Sequence, residues 1–299
     1  MADLTDPDAR VLKEFLLSSC DDISRWLPPP QWEPVWQSEA ARECANLEHG
    51  PDGPWGENPV RTVFAGGAMY LHTILDCVTA IAATLNPDTT PYVTETLARA
   101  AMEAGSVLWW LLEPGIGVRV RVARFWLIRA SGAERLAEAV GLTDPGGASG
   151  QYGETPAMVE GAIRGLGLAF TREQDRHTGR WSWTCEGEKL PGYTARATAF
   201  EAACGMTAAY SIYSGPAHAE WHAILSRYQE EVLPDGSRLM TTRPDRVAIA
   251  AAAIAAVGFA VRPADRALSL LGHKARLAEI PYHALHAKEL MRRFELPAW

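Results

Sequence analysis

The stretch "FAGGAMYLHTILDCVTAIAATL" (residues 64–85) is the longest apolar run of the chain. It is long enough to span a bilayer, but it contains His72 and Asp76. An aspartate in the middle of a membrane costs about 3 kcal/mol on insertion scales, which outweighs the gain from several leucines or isoleucines. We therefore expect this run to form a helix in the interior of a soluble protein.

Three further segments are apolar on nearly every side, at residues 97–112, 199–213 and 247–261. Helices of this kind belong in the middle of a bundle. The chain has 299 residues, enough for a full hydrophobic core. The sequence predicts an all-α multi-helix bundle. An N-terminal helical part (1–142) and a C-terminal helical part (156–299) would pack as one compact unit.

Helix starts and stops follow the capping residues and prolines. Helices are predicted at about 7–26, 61–85, 92–112, 117–140, 156–167, 195–214, 216–232, 244–261 and 263–294. The segments "LAFTR" and "WSWTCE" are the one convincing strand signal, and they predict a small β-hairpin insertion near 168–186. Loops are predicted at 45–60 and 233–245.

The charge and cysteine content exclude several classes of protein. A net charge of −8 disfavours a nucleic-acid binder, which usually carries a basic footprint. The five cysteines lack the spacing of a zinc ribbon or a redox motif, and reduced thiols fit better. The polar, acidic start does not predict a signal peptide. We expect a cytoplasmic protein with a small-molecule ligand as its partner and no membrane contact. The sequence does not decide whether the protein forms a homo-oligomer.

Polar side chains on the apolar helices are the candidate functional groups. His72 and Asp76 are four residues apart, so they lie side by side on a helix, where the carboxylate would orient the imidazole. Glu103 follows Arg99 by one turn on another apolar helix. Each pair is either self-satisfied and structural or part of a site. A carboxylate buried between apolar faces would have a raised pKa and could transfer protons.

The segment "AYSIYSGPAHAEW" (209–221) contains a proline that disfavours helix continuation. We expect one helix to end near Ser214 and a second to begin at Pro216. His218 then lies in the first turn of the second helix, where the helix dipole favours a neutral imidazole. A neutral histidine can be a base, a metal ligand or a hydrogen-bonded core residue.

The basic segment "GVRVRVARFWLIR" has no acidic residue. A solvated helix face is the usual explanation for such a run. Recognition of a carboxylate or phosphate is the alternative. Its arginines are Arg119, Arg121, Arg124 and Arg129.

The Arg-x-x-x-Glu and Tyr-Ser-x-x-x-His segments together resemble those of a family of uncharacterised actinobacterial helical proteins that is loosely HEPN-like. The matching positions are Arg99, Glu103, Tyr213, Ser214 and His218. The resemblance implies a helical fold and, as an alternative function, a defence or interaction protein without metabolic activity. Active HEPN ribonucleases carry Arg and His separated by four to six residues. Two segments here have six intervening residues, Arg266–His273 and Arg276–His283.

The leading prediction is a small-molecule enzyme of the hydrolase, cyclase or isomerase type, which uses acid–base chemistry in a Trp-lined pocket. Glu103 or His218 would transfer the proton, with His72 and Asp76 as an oriented partner. No cofactor is predicted, although a metal held by His72, Asp76, Glu103 and His218 is a sub-case. In a third reading every polar pair is structural. The predicted substrate-binding residues are Arg99, Trp110, Tyr213, Ser214 and Trp221.

Overall fold

A computed structural model describes residues 4–27, 32–89, 91–143, 154–174, 181–206, 209–217, 228–242, 245–273, 276 and 279–296. In these ranges the helices are α1 Asp6–Trp26, α2 Glu39–Ala45, α3 Asn58–Thr84, α4 Pro91–Leu111, α5 Val118–Thr143, α6 Pro156–Gly165, α7 Tyr193–Ala203, α8 Ala209–Ala217, α9 Arg246–Leu271 and α10 Ile280–Arg293. The strands are β1 His49–Gly50, β2 Gly53–Pro54, β3 Phe170–Gln174, β4 Trp181–Cys185, β5 Glu188–Lys189, β6 Tyr228–Val232 and β7 Arg238–Thr242. The predicted, mostly helical bundle with a small β insertion is confirmed.

Helix α4 lies at the centre of the bundle, between α3 on one side and α9 on the other. Helices α1, α7 and α8 complete the packing around these three. Both α3 and α9 are long and apolar enough to cross a membrane by length and composition. In the most apolar 18-residue stretch of α9, 67% is buried inside the protein. The apolar side chains of this helix therefore mainly pack against other helices.

One face of α3 is exposed to solvent, although the helix is apolar in composition. The exposed positions recur every three to four residues, as expected for one side of a helix. Small and flexible side chains occupy most of this face, and such residues tolerate exposure. The exposed positions include Thr62, Ala65, Met69, His72 and Asp76.

Helix α9 continues through Pro263, where the sequence predicted a break between two helices. Proline removes the helical hydrogen bond to the carbonyl four residues earlier, which is that of Phe259. A Cβ atom built on Gly105 of α4 would lie only 3.0 Å from this carbonyl oxygen. The close packing of α4 therefore holds α9 in place at the point where its hydrogen bonding is weakest. The helix ends at Gly272, which has a left-handed φ of 83°.

The predicted helix at 195–214 is two helices, because the chain turns at Gly205 with a φ of 74°. Helix α8 then extends past the predicted end at Ser214 to Ala217. A proline in a last helical turn disturbs few hydrogen bonds, so Pro216 does not end the helix. Most of the helix predicted to follow lies outside the described residues.

Residues 228–242 form a β-hairpin, where a helix end and a loop were expected. Strands β6 and β7 pair in antiparallel register from Tyr228–Thr242 to Val232–Arg238. Asp235 accepts hydrogen bonds from the backbone N and the Oγ of Ser237, at 2.9 and 2.6 Å, and this closes the turn. The prediction failed because turn chemistry and pairing outweighed the apparent helical pattern.

The predicted hairpin near 168–186 is confirmed, and a short third strand extends it. Strand β4 pairs with β3 and β5, and all three strands are antiparallel. The sheet packs against α5 through β4 and β5.

The α5 arginines are not a solvated face. Arg121 is fully buried, and its Nε and Nη2 bind both carboxylate oxygens of Glu43 at 2.7 and 3.0 Å. Arg124 is also buried and donates to Glu188 at 2.8 Å and to Glu113 at 2.5 Å. The sequence prediction was wrong because the acidic partners lie in other segments of the chain.

Candidate functional site

The His72–Asp76 pair lies on the exposed face of α3. The Nε2 and Oδ2 atoms are 3.6 Å apart, and the two side chains are 63% and 68% exposed. The expectation of a buried pair was wrong, because α3 uses its opposite face for packing. An exposed ion pair of this kind contributes little to stability.

Glu103 forms the ion pair with Arg99 that the spacing predicts. Arg99 Nε donates to Glu103 Oε1 at 2.8 Å, and the Glu103 side chain is 30% exposed. Arg99 Nη1 also donates to the carbonyl of Ser214 at 3.3 Å, and the guanidinium lies over the Tyr210 ring. Arg99 therefore joins α4 to α8 and orients the Glu103 carboxylate.

The remaining predicted residues have separate environments. Tyr213 is buried, and burial raises the pKa of its phenol, with the nearby Glu95 and Glu201 acting in the same direction. Trp110 lies under the guanidinium of Arg124 at 4.7 Å, within the ion-pair network of α5. The predicted site residues His218 and Trp221 lie outside the described residues.

A cleft opens where α5, the β3–β5 sheet and the start of α7 meet. Its outer chamber has a volume of about 460 Å³, within the range of small-molecule sites. Strand β4 contributes two tryptophans to the lining, and α5 contributes charged residues. The chamber is lined by Leu127, Ser131, Glu134, Arg135, Glu138, Trp181, Trp183, Lys189, Leu190, Pro191, Gly192, Tyr193 and Arg196.

A second chamber of about 290 Å³ adjoins the outer one and is also open to solvent; we call it the inner chamber because it reaches α4, the central helix. The two chambers share five wall residues, namely Ser131, Arg135, Leu190, Tyr193 and Arg196. Glu103, Ala100, Ala104 and Val107 of α4 form the inner wall, and Tyr70 of α3 lies beside them. Of the predicted catalytic residues that the structure describes, Glu103 reaches this cleft, whereas His72 and Asp76 do not line either chamber.

Glu134 holds the tryptophan wall in place. Its Oε1 accepts from Trp183 Nε1 at 3.1 Å and from Arg172 Nε at 2.8 Å. The Arg172 guanidinium lies 4.1 Å from the centre of the Trp181 ring. The hydrogen bond orients the Trp183 ring, the Arg172 guanidinium covers one face of the Trp181 ring, and the Glu134 carboxylate is used in holding this wall.

Two arginines and two tyrosines surround the junction of the chambers. The guanidinium groups of Arg135 and Arg196 lie 4.5 and 4.9 Å from the centre of the Tyr193 ring. Burial raises the pKa of Tyr70, while the charges of Arg196 and Arg135 act against that shift. Tyr70 therefore keeps its phenolic proton near neutral pH and can donate a hydrogen bond.

The described residues do not assemble the predicted metal set. No group of three or more histidine, cysteine or carboxylate side chains suited to a metal ion occurs among them. His72 and Asp76 are exposed on α3, away from the chamber that Glu103 lines. The predicted fourth ligand, His218, lies outside the described ranges, and the metal site stays a prediction.

A Ser-His-Asp arrangement elsewhere in the fold does not line the cleft. Ser19 Oγ lies 3.2 Å from His283 Nδ1, and Asp22 Oδ2 lies 3.3 Å from His283 Nε2. Ser19 is 1% exposed, so a substrate cannot reach its hydroxyl. His283 is thus a packing residue that joins α10 to α1.

The sequence prediction missed Arg135, Tyr193 and Arg196. Arg196 follows the Pro191-Gly192 turn and is the only basic residue of α7. That isolated cation on a largely apolar helix was the available signal. The burial of its side chain depends on α5 and α4, and single-sequence patterns do not reveal such packing.

Comparisons with known proteins found no matching family model, curated protein or solved structure. The resemblance to a HEPN-like helical family stays a prediction. One candidate ribonuclease segment contains Arg266, whose guanidinium is packed 3.1 Å from the centre of the Trp109 ring.

Proposed function

We propose that the protein is a small-molecule enzyme that uses acid–base chemistry in the two-chamber cleft, with Glu103 as the proton-transfer group. The observation that carries this proposal is that Glu103, whose side chain is 30% exposed, lines the inner chamber. Its ion pair with Arg99 fixes the direction of the carboxylate. A positioned carboxylate in a cleft that binds substrate is a standard arrangement for general acid–base catalysis.

The outer chamber supports the binding of a substrate with an aromatic or apolar body. Trp181, Trp183 and Tyr193 provide flat apolar surface at little entropic cost, because their rings are held by neighbouring contacts. Tyr70 would donate a hydrogen bond to an oxygen of the substrate in the inner chamber. The reaction type within the hydrolase, cyclase and isomerase classes stays open.

The proposal is tested with the Glu103→Gln variant, which keeps the size of the side chain and removes its ability to accept a proton. Purified protein is incubated with a cellular small-molecule extract in deuterated water, and mass spectrometry follows turnover and deuterium incorporation. We expect the wild-type protein to convert a component of the extract, and Glu103→Gln to slow that conversion about 100-fold or more.

A matched control is Glu160→Gln on α6. Glu160 also pairs with an arginine four residues away, and its side chain is 29% exposed, close to the 30% of Glu103. This control should retain the wild-type rate. A wild-type rate in Glu103→Gln, or no conversion by the wild-type protein, would contradict the proposal.

A further inference from the structure

Arg196 is a buried cation whose hydrogen-bonding capacity is incompletely used. It is 6% exposed, and its Nη1 donates to the carbonyl of Pro191 at 2.6 Å. Its Nε is buried and has no hydrogen-bond partner in the part of the chain that the structure describes. The Nε atom is enclosed by protein, but an anion that contacts the guanidinium from the cleft would offset the uncompensated charge of this buried group.

The electrostatic surroundings of Arg196 also favour an incoming anion. Burial lowers the pKa of Arg196, and the charge of Arg135 acts in the same direction. Two guanidinium groups beside one tyrosine ring repel each other, and an oxyanion between them would relieve this repulsion. Arginine presents a planar set of N–H donors that matches a carboxylate or a phosphate.

The start of α7 adds backbone donors to the same wall. Gly192 is the N-cap residue of α7, and no side chain caps the helix. Pro191, Gly192 and Tyr193 line the outer chamber, so the first turn of α7 borders the space beside Arg196. The N-terminal turn of a helix attracts anions through its unpaired N–H groups and its dipole.

The acidic residues of the cleft neutralise this cationic region only in part: burial, which lowers the pKa of Arg196, outweighs the charge of Glu103, which acts against that lowering. Glu134 is bound to Trp183 and Arg172, and Glu103 is bound to Arg99 on the inner wall. Glu138 is exposed on the α5 wall of the outer chamber. Arg196 therefore keeps a buried positive charge between the two chambers.

We infer that Arg196, Arg135 and the first turn of α7 form a subsite for an oxyanion group, a carboxylate or a phosphate, on the ligand of the cleft. This inference rests on the proposed function, because the subsite belongs to the same cleft. It defines the substrate as an organic anion, with its charged group at Arg196, its apolar body against the tryptophan wall and its reactive part towards Glu103.

The test is isothermal titration calorimetry with phenyl phosphate and benzoate as aromatic anions, and with benzyl alcohol as a neutral aromatic of similar size. We expect saturable binding of at least one anion at millimolar concentrations, and much weaker binding of benzyl alcohol. The stronger of the two anions identifies the group as phosphate or carboxylate. Absence of anion binding to the wild-type protein overturns the inference.

Two variants locate the subsite. Arg196→Gln and Arg135→Gln should each weaken anion binding about tenfold or more, because each removes a charged donor. The control is Arg164→Gln on α6, an arginine that is 66% exposed and pairs with Glu160. Circular dichroism melting confirms that each variant is folded. Since Arg135 is an exposed residue, its variant keeps the test valid if Arg196→Gln does not fold.

The outcomes separate the two proposals. Wild-type anion affinity in folded Arg196→Gln and Arg135→Gln overturns the subsite, even if Glu103→Gln abolishes turnover. Anion binding that depends on Arg196 supports the subsite, even if Glu103→Gln turns over at the wild-type rate and the proposed chemistry fails.

Discussion

Two buried arginines in this protein have opposite surroundings. Arg121 of α5 is fully buried, and all three of its guanidinium nitrogens donate to acceptors at 2.7–3.2 Å, from Glu43, Glu39 and two backbone carbonyls. Arg196 of α7 is almost as buried, but it donates to one backbone carbonyl, and its Nε has no acceptor among the described residues. A buried guanidinium whose nitrogens all donate to acceptors stabilises the packing of the fold. A buried guanidinium that is incompletely paired and lies beside a cavity is suited to bind an anionic ligand.

The largest expected loss of stability follows from replacing Arg121, whose guanidinium nitrogens all donate hydrogen bonds. Arg121→Met should lower the free energy of unfolding by about 3–5 kcal/mol, because it leaves the Glu43 carboxylate buried without its cation. Urea denaturation measures the change. The double variant Arg121→Met/Glu43→Leu should recover part of the loss, since it removes both buried charges. A loss below about 1 kcal/mol for Arg121→Met would show that the comparison between the two arginines is wrong.

The same substitution at Arg196, in the cleft, should change the free energy of unfolding much less. Arg196→Met loses one hydrogen bond, worth about 1 kcal/mol, but it also removes an incompletely paired buried charge. We expect its free energy of unfolding to stay within about 1 kcal/mol of the wild-type value, by the same urea method. A loss as large as that of Arg121→Met would indicate that Arg196 is a scaffold residue.

A third buried basic group, His283, should produce a pH effect. Burial lowers the pKa of His283, although Asp22 opposes that shift. The unfolded chain therefore binds the proton more readily than the folded one below about pH 6.5. The contribution of His283 to the free energy of unfolding is therefore fully present above about pH 6.5. It decreases as the pH falls towards the pKa of His283 in the folded protein.

Thermal melting between pH 7.5 and 5 checks this expectation. The melting temperature of the wild-type protein should fall more steeply with decreasing pH than that of His283→Gln. His72→Gln is the control, because its imidazole is exposed, and it should follow the wild-type profile. Equal slopes for the wild-type protein and His283→Gln would contradict the assignment.

Much of the fold could be predicted from local patterns. The apolar helices α3, α4 and α9 and the β3–β4 hairpin follow from hydrophobic periodicity and turn residues. The β6–β7 hairpin and the continuity of α9 through Pro263 did not follow, because strand pairing and contacts with α4 decide them. Local preference is a weak signal where tertiary contacts oppose it.

The candidate site was less predictable than the fold. Glu103 could be singled out as a candidate because it is the only charged residue between Arg99 and Glu113. The same reasoning placed His72 and Asp76 in the interior, which is wrong, because the apolar composition of α3 conceals an exposed face that carries these two residues. Arg196 was not a candidate in the sequence, because its unpaired donor and the neighbouring cavity both depend on packing between distant segments.

Gly105 of α4 allows α7 and α9 to pack closely against α4, because it has no side chain. A Cβ atom at this position would lie 2.7 Å from a ring carbon of Phe200 and 3.0 Å from the Phe259 carbonyl. Phe200 is one turn beyond Arg196 on α7, and Gly105 is two residues beyond Glu103 on α4. The missing methyl group therefore determines how near α7 comes to α4, and with it the gap between the cation and the carboxylate. A larger side chain at position 105 would push α7 away from α4 and widen that gap.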